Sequence, residues 1–218
     1  MTSIAIALYD EFTSLDAIGP YQVLQHLPGA EVTFVAAERG TIRDDHGLLR
    51  LDVTASVDDV PDPDVVVVPG GFITRKLAKA GEPLVEWVRA VHPGTTWTTS
   101  VCTGALILGA AGVLDGLEAT THWSAYDDLA SFGATPTARR VVRQGKVVTS
   151  AGVSSGIDMA LTLVGEMAGA DVAEAIQLAI EYDPQPPYDS GAPAKARPEI
   201  LDFVSAINAE RRAELLSD

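Results

Sequence analysis

Cysteine is almost absent from this sequence: Cys102 is the only one in 218 residues. A lone thiol cannot close an intramolecular disulfide, and with four scattered histidines it completes no zinc finger, zinc ribbon or iron-sulfur ligand set. That usage suits a reducing cytosol. Basic residues are also scarce, 15 Lys plus Arg against 30 Asp plus Glu. The resulting net charge of −15 repels phosphate backbones and anionic lipid head groups. Neither nucleic acid nor membrane is therefore an expected partner. No apolar run approaches the ~20 residues of a membrane-spanning helix. The first one, Ile4 to Tyr9, is too short for a leader and no basic segment precedes it, so a soluble, cytoplasmic protein is expected. Aromatics make up only 6 per cent, so a core must come from Ala, Val, Leu and Ile, which the 47 per cent apolar content supplies. One domain over residues 1–218 is the default at this length.

Periodicity then sets the architecture. Ile4 to Tyr9 reads as a strand and Leu15 to Leu27 as a helix. Glu31 to Ala37 is a second strand, Leu48 to Val53 a short one, and Asp64 to Pro69 (DVVVVP) a strand buried on both faces. After Gly70-Gly71 come helices near Ile73 to Ala78 and Pro83 to Val91, a strand Thr95 to Ser100, and a helix Thr103 to Ala111 closed by Gly112. Buried valine runs separated by helices predict a parallel sheet. Further on, Glu118 to Thr121 reads as a strand and Ser124 to Ser131 as a helix capped by Ser124. Arg139 to Arg143 and Lys146 to Ser150 read as a strand pair, and Gly156 to Ala168 and Val172 to Ile180 as two helices. The proline-rich stretch 182–198 forbids regular structure; a linker is one reading, and an arm held by Tyr182 and Tyr188, which give it something to bury, is the favoured one, ahead of a final helix 199–216.

The chemistry concentrates at Thr99-Ser100-Val101-Cys102-Thr103-Gly104, where the only thiol sits between a buried strand and the first turn of a Gly/Ala-rich helix. A strand that turns sharply into a helix pushes one side chain into the cleft at the sheet's carboxyl edge. The helix N-terminus is expected to lower the thiol pKa and favour thiolate. From composition alone an inert buried cysteine is the alternative, and the elbow context argues against it. Gly70-Gly71 can offer backbone N–H groups beside that of Thr103 for developing negative charge. Asp16, at the start of the first helix, belongs to a loop at the same sheet edge and is a candidate proton carrier; it could equally cap its own helix, and only geometry separates the two. His122, beside Trp123, is either a base or a hydrogen-bonded structural residue. The pairs Asp58-Asp59 and Asp127-Asp128 read as solvated helix ends. No dinucleotide or P-loop glycine motif is present.

In chain order, SLDAIGPYQVL, VVVPGG, SVCTGALILGAAGVLDG, ATTHW, SAGVSSGIDMAL and QLAIEYDPQPPYDSGAP make the chain similar to the ThiJ/PfpI superfamily from about Ile4 to Pro193. The elbow and the GG turn carry only that resemblance. It implies a flavodoxin-like α/β fold, doubly wound, with a mainly parallel sheet and helices on both faces. The Asp16 motif, Cys102-Thr103 and the EYxPxPP segment resemble more narrowly the isocyanide-hydrating branch. Peptidase-like and deglycase-like members usually carry Glu in the first loop, and the peptidase-like ones place His after the cysteine; Asp16 and Thr103 stand there instead.

The resemblance implies hydration of a small-molecule isocyanide to an N-formamide with no cofactor. Cys102 thiolate would add to the isocyanide carbon to form a thioimidate while the nitrogen takes a proton, and water would then release the thiol. Asp16 would supply that proton and later activate water, sharing a hydrogen bond with Cys102, while Thr103 orients the network. Amides near Gly71 and Val153 would complete the pocket, with Ile18, Trp123 and Tyr182 as apolar lining. A homodimer is also implied. Two alternatives stay open: a glyoxalase or deglycase acting on small aldehydes, and a sensor whose exposed Cys102 thiolate oxidises to sulfinate. The ATTHW element also resembles the sensor domain of AraC-type regulators, but no helix-turn-helix is expected here. Where relatives are richer in glycine this chain reads Ser150-Ala151-Gly152, so the loop expected near the cysteine has less backbone freedom.

Overall fold

A computed structural model describes residues 1–217; the expected domain limit at Asp218 lies outside them. Along the chain come β1 (Thr2–Ala7), α1 (Ser14–Leu24), β2 (Ala30–Ala36), β3 (Gly40–Arg43), β4 (Arg50–Val53), β5 (Ala55–Ser56) and β6 (Val65–Val68). Then follow α2 (Thr74–Ala80), α3 (Pro83–Val91), β7 (Trp97–Val101), α4 (Gly104–Ala110), β8 (Glu118–Ala119), α5 (Tyr126–Ala130) and β9 (Thr135–Pro136). The chain continues through β10 (Val141–Gln144), β11 (Val147–Ser150), α6 (Ser155–Ala168), α7 (Ala170–Ala179) and α8 (Pro198–Ser217).

Seven strands make one sheet in the order β10-β11-β7-β6-β1-β2-β5, parallel throughout except where β10 runs against β11. The fold is the flavodoxin-like, doubly wound α/β arrangement. The strand β6 shows why. All four valines are fully buried, and alternate side chains enter opposite cores. Val66 and Val68 pack with Leu84, Val88 and Leu106 from α3 and α4, whereas Val65 and Val67 pack with Val23, Met159 and Leu163 from α1 and α6. At roughly 1.5–3 kcal/mol per buried aliphatic side chain, such a strand belongs only between two helical layers. Because β1 lies between β2 and β6, the winding reverses there, and the loops leaving β1, β6 and β7 open a crevice at the carboxyl edge.

The sequence reading departs from the structure in four places. Glycine and charge masked Gly40–Arg43, which pairs antiparallel with β4 as a hairpin outside the main sheet. The strand expected at Glu118 to Thr121 is only two residues long and pairs with β9. Ser124 caps nothing through its own side chain: residues 123–125 form a 3-10 turn headed by His122, whose ring accepts the Ser124 N–H. The arm at 182–198 is tied by Tyr182, whose hydroxyl donates to Asp158 at 3.1 Å, but Tyr188 is 82 per cent exposed and anchors nothing. Among the described residues no helix is long and apolar enough to cross a membrane.

Candidate active site

The turn from β7 into α4 places Cys102 at φ +56°, a left-handed conformation that costs a non-glycine residue about 1–2 kcal/mol. Its surroundings hold it there. The Cys102 N–H is shared between the carbonyls of Ser150 (3.0 Å) and Ala151 (3.2 Å), and its carbonyl accepts the Thr121 hydroxyl at 2.8 Å. The start of α4 approaches β6 so closely that a Cβ on Gly104 would fall on the Val68 carbonyl oxygen and 2.7 Å from that of Pro69. The thiol is thereby driven toward the loops from β1 and β6.

Asp16 meets it from the α1 side. No side chain caps α1, so the capping reading of Asp16 is excluded. The carboxyl is fully buried, Oδ2 accepts the Gly70 N–H at 3.0 Å, and Oδ1 lacks a partner of good geometry. A Cβ on Gly70 would lie 2.8 Å from both Asp16 Oδ2 and Thr103 Oγ1, so the carboxyl stands beside the turn that carries the thiol, and the ionisation of the two groups is coupled. Burial dominates both. It pushes Asp16 up to about 8, against the opposing pull of the Gly70 amide and the thiol, with the Asp45 charge adding to the rise. Burial, then the Asp16 charge, pushes Cys102 well above the ordinary thiol range, and the Thr103 amide and hydroxyl only partly offset this. The expected thiolate is therefore corrected: the helix start acts in the anticipated direction but loses to desolvation, and the resting site is a neutral thiol beside a neutral acid. The exposed thiolate assumed for a redox sensor is absent as well, since Cys102 is only 6 per cent exposed.

The glycine pair plays a different part from the one expected. Gly70 N–H is committed to Asp16, and Gly71 N–H donates to Thr103 Oγ1 at 3.0 Å while the same hydroxyl donates back to the Gly71 carbonyl at 2.8 Å. These amides lock Asp16 and Thr103 rather than standing free for substrate. His122 is the neighbour beyond Cys102. Its ring lies so close to Gly152 that a Cβ there would strike His122 Cδ2 and come within 3.3 Å of Cys102 Sγ. Nδ1 is engaged by the Ser124 hydroxyl at 2.8 Å, and burial with the Arg75 charge lowers its pKa to about 4, so the ring is neutral.

Above Cys102 lies a cavity of about 190 Å³. Gly71, Thr103 and Val153 stand on its wall, as expected. Ile18, Trp123 and Tyr182 do not: Ile18 belongs to α1 beside the buried helix contact, Trp123 faces the arm and α8, and Tyr182 is spent on Asp158. In their place stand Phe72, Arg75, Asn208 and Arg211. Arg75 could have been suspected from its place just after the GG turn, whereas nothing local marks Asn208 or Arg211, which a distant helix delivers. Asp128, read as solvated, is instead gripped by Arg75 (2.9 Å) and Arg212 (2.6 Å) with its side chain 15 per cent exposed. A larger cavity of about 500 Å³ opens beside the β3–β4 hairpin and α3, away from the thiol, and offers no nucleophile. No cluster of three or more metal-binding side chains occurs among the described residues.

The chain is 42 per cent identical over 199 residues to isonitrile hydratase of Pseudomonas putida, covering 91 per cent of this chain and 86 per cent of that protein. It is 31 per cent identical over 142 residues to deglycase PfpI of Pyrococcus furiosus, covering 65 per cent of this chain and 84 per cent of the other. The crystal structure of a THiJ/PfpI family protein from Pseudomonas syringae superposes with a TM-score of 0.88 at 38 per cent identity, over 98 per cent of this chain and 90 per cent of that one. With a nucleophile elbow on a doubly wound sheet, and residues 2–166 matching the model of the DJ-1/PfpI family, the chain belongs to that family.

Proposed function

We propose that the protein is an isocyanide hydratase, converting R–NC and water to R–NH–CHO through Cys102. The observation that carries this reading is the buried pair of neutral Asp16 and Cys102, fixed by Gly70 and Thr103, in a chain 42 per cent identical to an isonitrile hydratase. A neutral acid can give one proton and take another. As Cys102 Sγ bonds to the isocyanide carbon, Asp16 delivers its proton to that carbon and accepts the thiol's, leaving the thioimidate R–N=CH–S–Cys102. The proton thus ends on carbon at this stage, not on nitrogen as the sequence reading had it. The Thr103 amide steadies the sulfur while it carries negative charge. Water then adds to the same carbon, Asp16 taking its proton and passing one to nitrogen; the C–S bond breaks and sulfur recovers its proton. Substrate and water supply every atom, and no cofactor enters the scheme.

His122, neutral and held by Ser124, shapes the cavity beside the sulfur and is not the base. The protein acts in the cytoplasm, in keeping with its lone cysteine, and as a homodimer. The apolar side chains that α7 and α8 leave exposed, Leu178, Phe203 and Ile207, offer surface for a second copy.

The test is incubation of the purified protein, and of Cys102→Ala, with an aryl isocyanide and with methylglyoxal, following formamide and lactate by NMR. Formamide from the parent protein and none above background from Cys102→Ala is the expected result. Lactate without formamide would assign the site to aldehyde chemistry instead.

A further inference from the structure

Two of the residues that wall the cavity above Cys102 each carry a buried nitrogen with nothing to donate to. Arg75, in the first turn of α2, has a side chain only 5 per cent exposed. Its Nε donates to Asp128 Oδ2 at 2.9 Å and its Nη2 reaches the Ser124 carbonyl at 3.5 Å, but Nη1 has no partner. Asn208 brings a second unpartnered donor, Nδ2, from α8. Arg211, nearly one turn further along α8, stacks 4.9 Å over the Phe72 ring, which Arg75 also covers at 4.6 Å. All three residues share the cavity wall with Cys102.

Leaving a buried donor unmet is costly, and more so on a charged group, because the desolvation of that group is not repaid. The charge count points the same way. Asp128 answers both Arg75 and Arg212, and Arg211 stacks on Phe72 with no ion pair among the described residues, so three guanidiniums gather around Phe72 and one carboxylate in a chain whose net charge is −15. Asp45 is the carboxylate elsewhere on the wall. It accepts the Thr13 hydroxyl at 3.2 Å and helps keep the proton on Asp16. The cavity therefore has an acidic flank at Asp45, in the turn between β3 and β4, and a cationic, donor-rich flank from α2 and α8. Arg75 shares the cavity wall with His122, whose pKa its charge lowers, and with Cys102, so that flank borders the reacting sulfur.

We propose that the isocyanide taken by this site bears a carboxylate, and that Arg75, Asn208 and Arg211 hold it while Cys102 adds to the isocyanide carbon. The proposal rests on the hydratase reading of Cys102 and narrows its substrate class. A guanidinium edge and an amide suit the paired oxygens of a carboxylate. The cavity of about 190 Å³ is below the ~300–1,000 Å³ of drug-sized sites, so the carboxylate and the isocyanide are separated by only a short linker.

Isocyanoacetate and its methyl ester differ in this one charge and are the probes. With the full-length protein, kcat/KM for isocyanoacetate should exceed that for the ester at least about tenfold, chiefly through KM. Asn208→Ala and Arg211→Gln, both on a largely exposed helix, should each lower the ratio, and Arg75→Gln should lower it most. Equal kcat/KM for the two compounds in the parent protein overturns the proposal.

Binding supplies a readout that needs no turnover: N-formylglycine against N-formylglycinamide, titrated calorimetrically into Cys102→Ala. If neither isocyanide is hydrated but the carboxylate binds at least about tenfold tighter than the amide, the anion site stands and the hydratase reading falls. Equal binding of the two removes the anion site whatever the activity.

Discussion

Around Cys102, backbone groups fix almost everything: two carbonyls share its N–H, the Gly70 amide pins Asp16, and Gly71 grips the Thr103 hydroxyl in both directions. Around Asn208 and Arg211 the restraints are side chains alone, an ion pair from Arg212 to Asp128 and guanidiniums laid on Phe72. Burial follows the same divide. From Ala170 onward only Ile176 is fully buried among the described residues, whereas the sheet and its first helices supply the two cores. The match to the family model ends at residue 166, close to that boundary. The lesson is a division of labour: the rigid region makes the chemistry available, and the loosely tethered region selects what reaches it.

Breaking the rigid side should be costly. Gly104→Ala puts a methyl group on the Val68 and Pro69 carbonyls, so it should destabilise the fold by about 3 kcal/mol, read as a shifted urea midpoint. A midpoint within experimental error of the parent's would mean that the strand–helix contact is loose.

Asp16→Asn should leave the fold intact and lower turnover at least ~100-fold, since the amide cannot exchange protons. In the parent protein kcat/KM should fall as pH rises through about 8, where the Asp16–Cys102 pair loses its first proton. Stability carries the same signature. The folded state keeps the Asp16 proton up to about 8 while the unfolded chain releases it near 3.8, so the contribution of this group to stability declines between those values and is flat above. Asp16→Asn should flatten that slope; a slope unchanged by the substitution would place the titration elsewhere.

Gly152→Ala sharpens the comparison at the cavity's edge. Its methyl group collides with His122 Cδ2, a side chain able to shift, so the expected effect is about tenfold on kcat/KM with little change in melting temperature. Arg212→Met tests the loose side. It removes one of two guanidiniums from Asp128, and for a pair 42 per cent exposed at the arginine the loss should be about 1 kcal/mol or less. Faster hydrogen exchange confined to α8 amides would detect it where global unfolding does not.

What could be read in advance follows the same boundary. The Val65–Val68 run and the SVCTG turn are local patterns, each carrying its own physical cause, and they suffice for the sheet and the elbow; the Asp16 loop places a carboxyl at the same sheet edge, but whether it caps its helix or turns to Cys102 depends on the Gly70 amide that receives it. A helix start at Cys102 is visible in sequence, whereas the desolvation that outweighs it depends on distant segments closing over the sulfur, among them Gly152 with His122 beside it. Tyr182 anchors the arm as expected but does not line the pocket, because its hydroxyl is engaged by Asp158, a partner 24 positions away. Arg75, Asn208 and Arg211 escaped notice because residues separated by more than 130 positions meet only once α8 folds back across the cavity mouth.

Having a single sulfhydryl, and that one uncharged and shielded, also makes the molecule its own reporter. An alkylating reagent added to the native protein can modify one thiol only, and it must enter the cavity above Cys102 to do so. The ratio of that rate to the rate in denaturant measures how freely the cavity admits a small electrophile, with no label introduced and no second thiol to correct for.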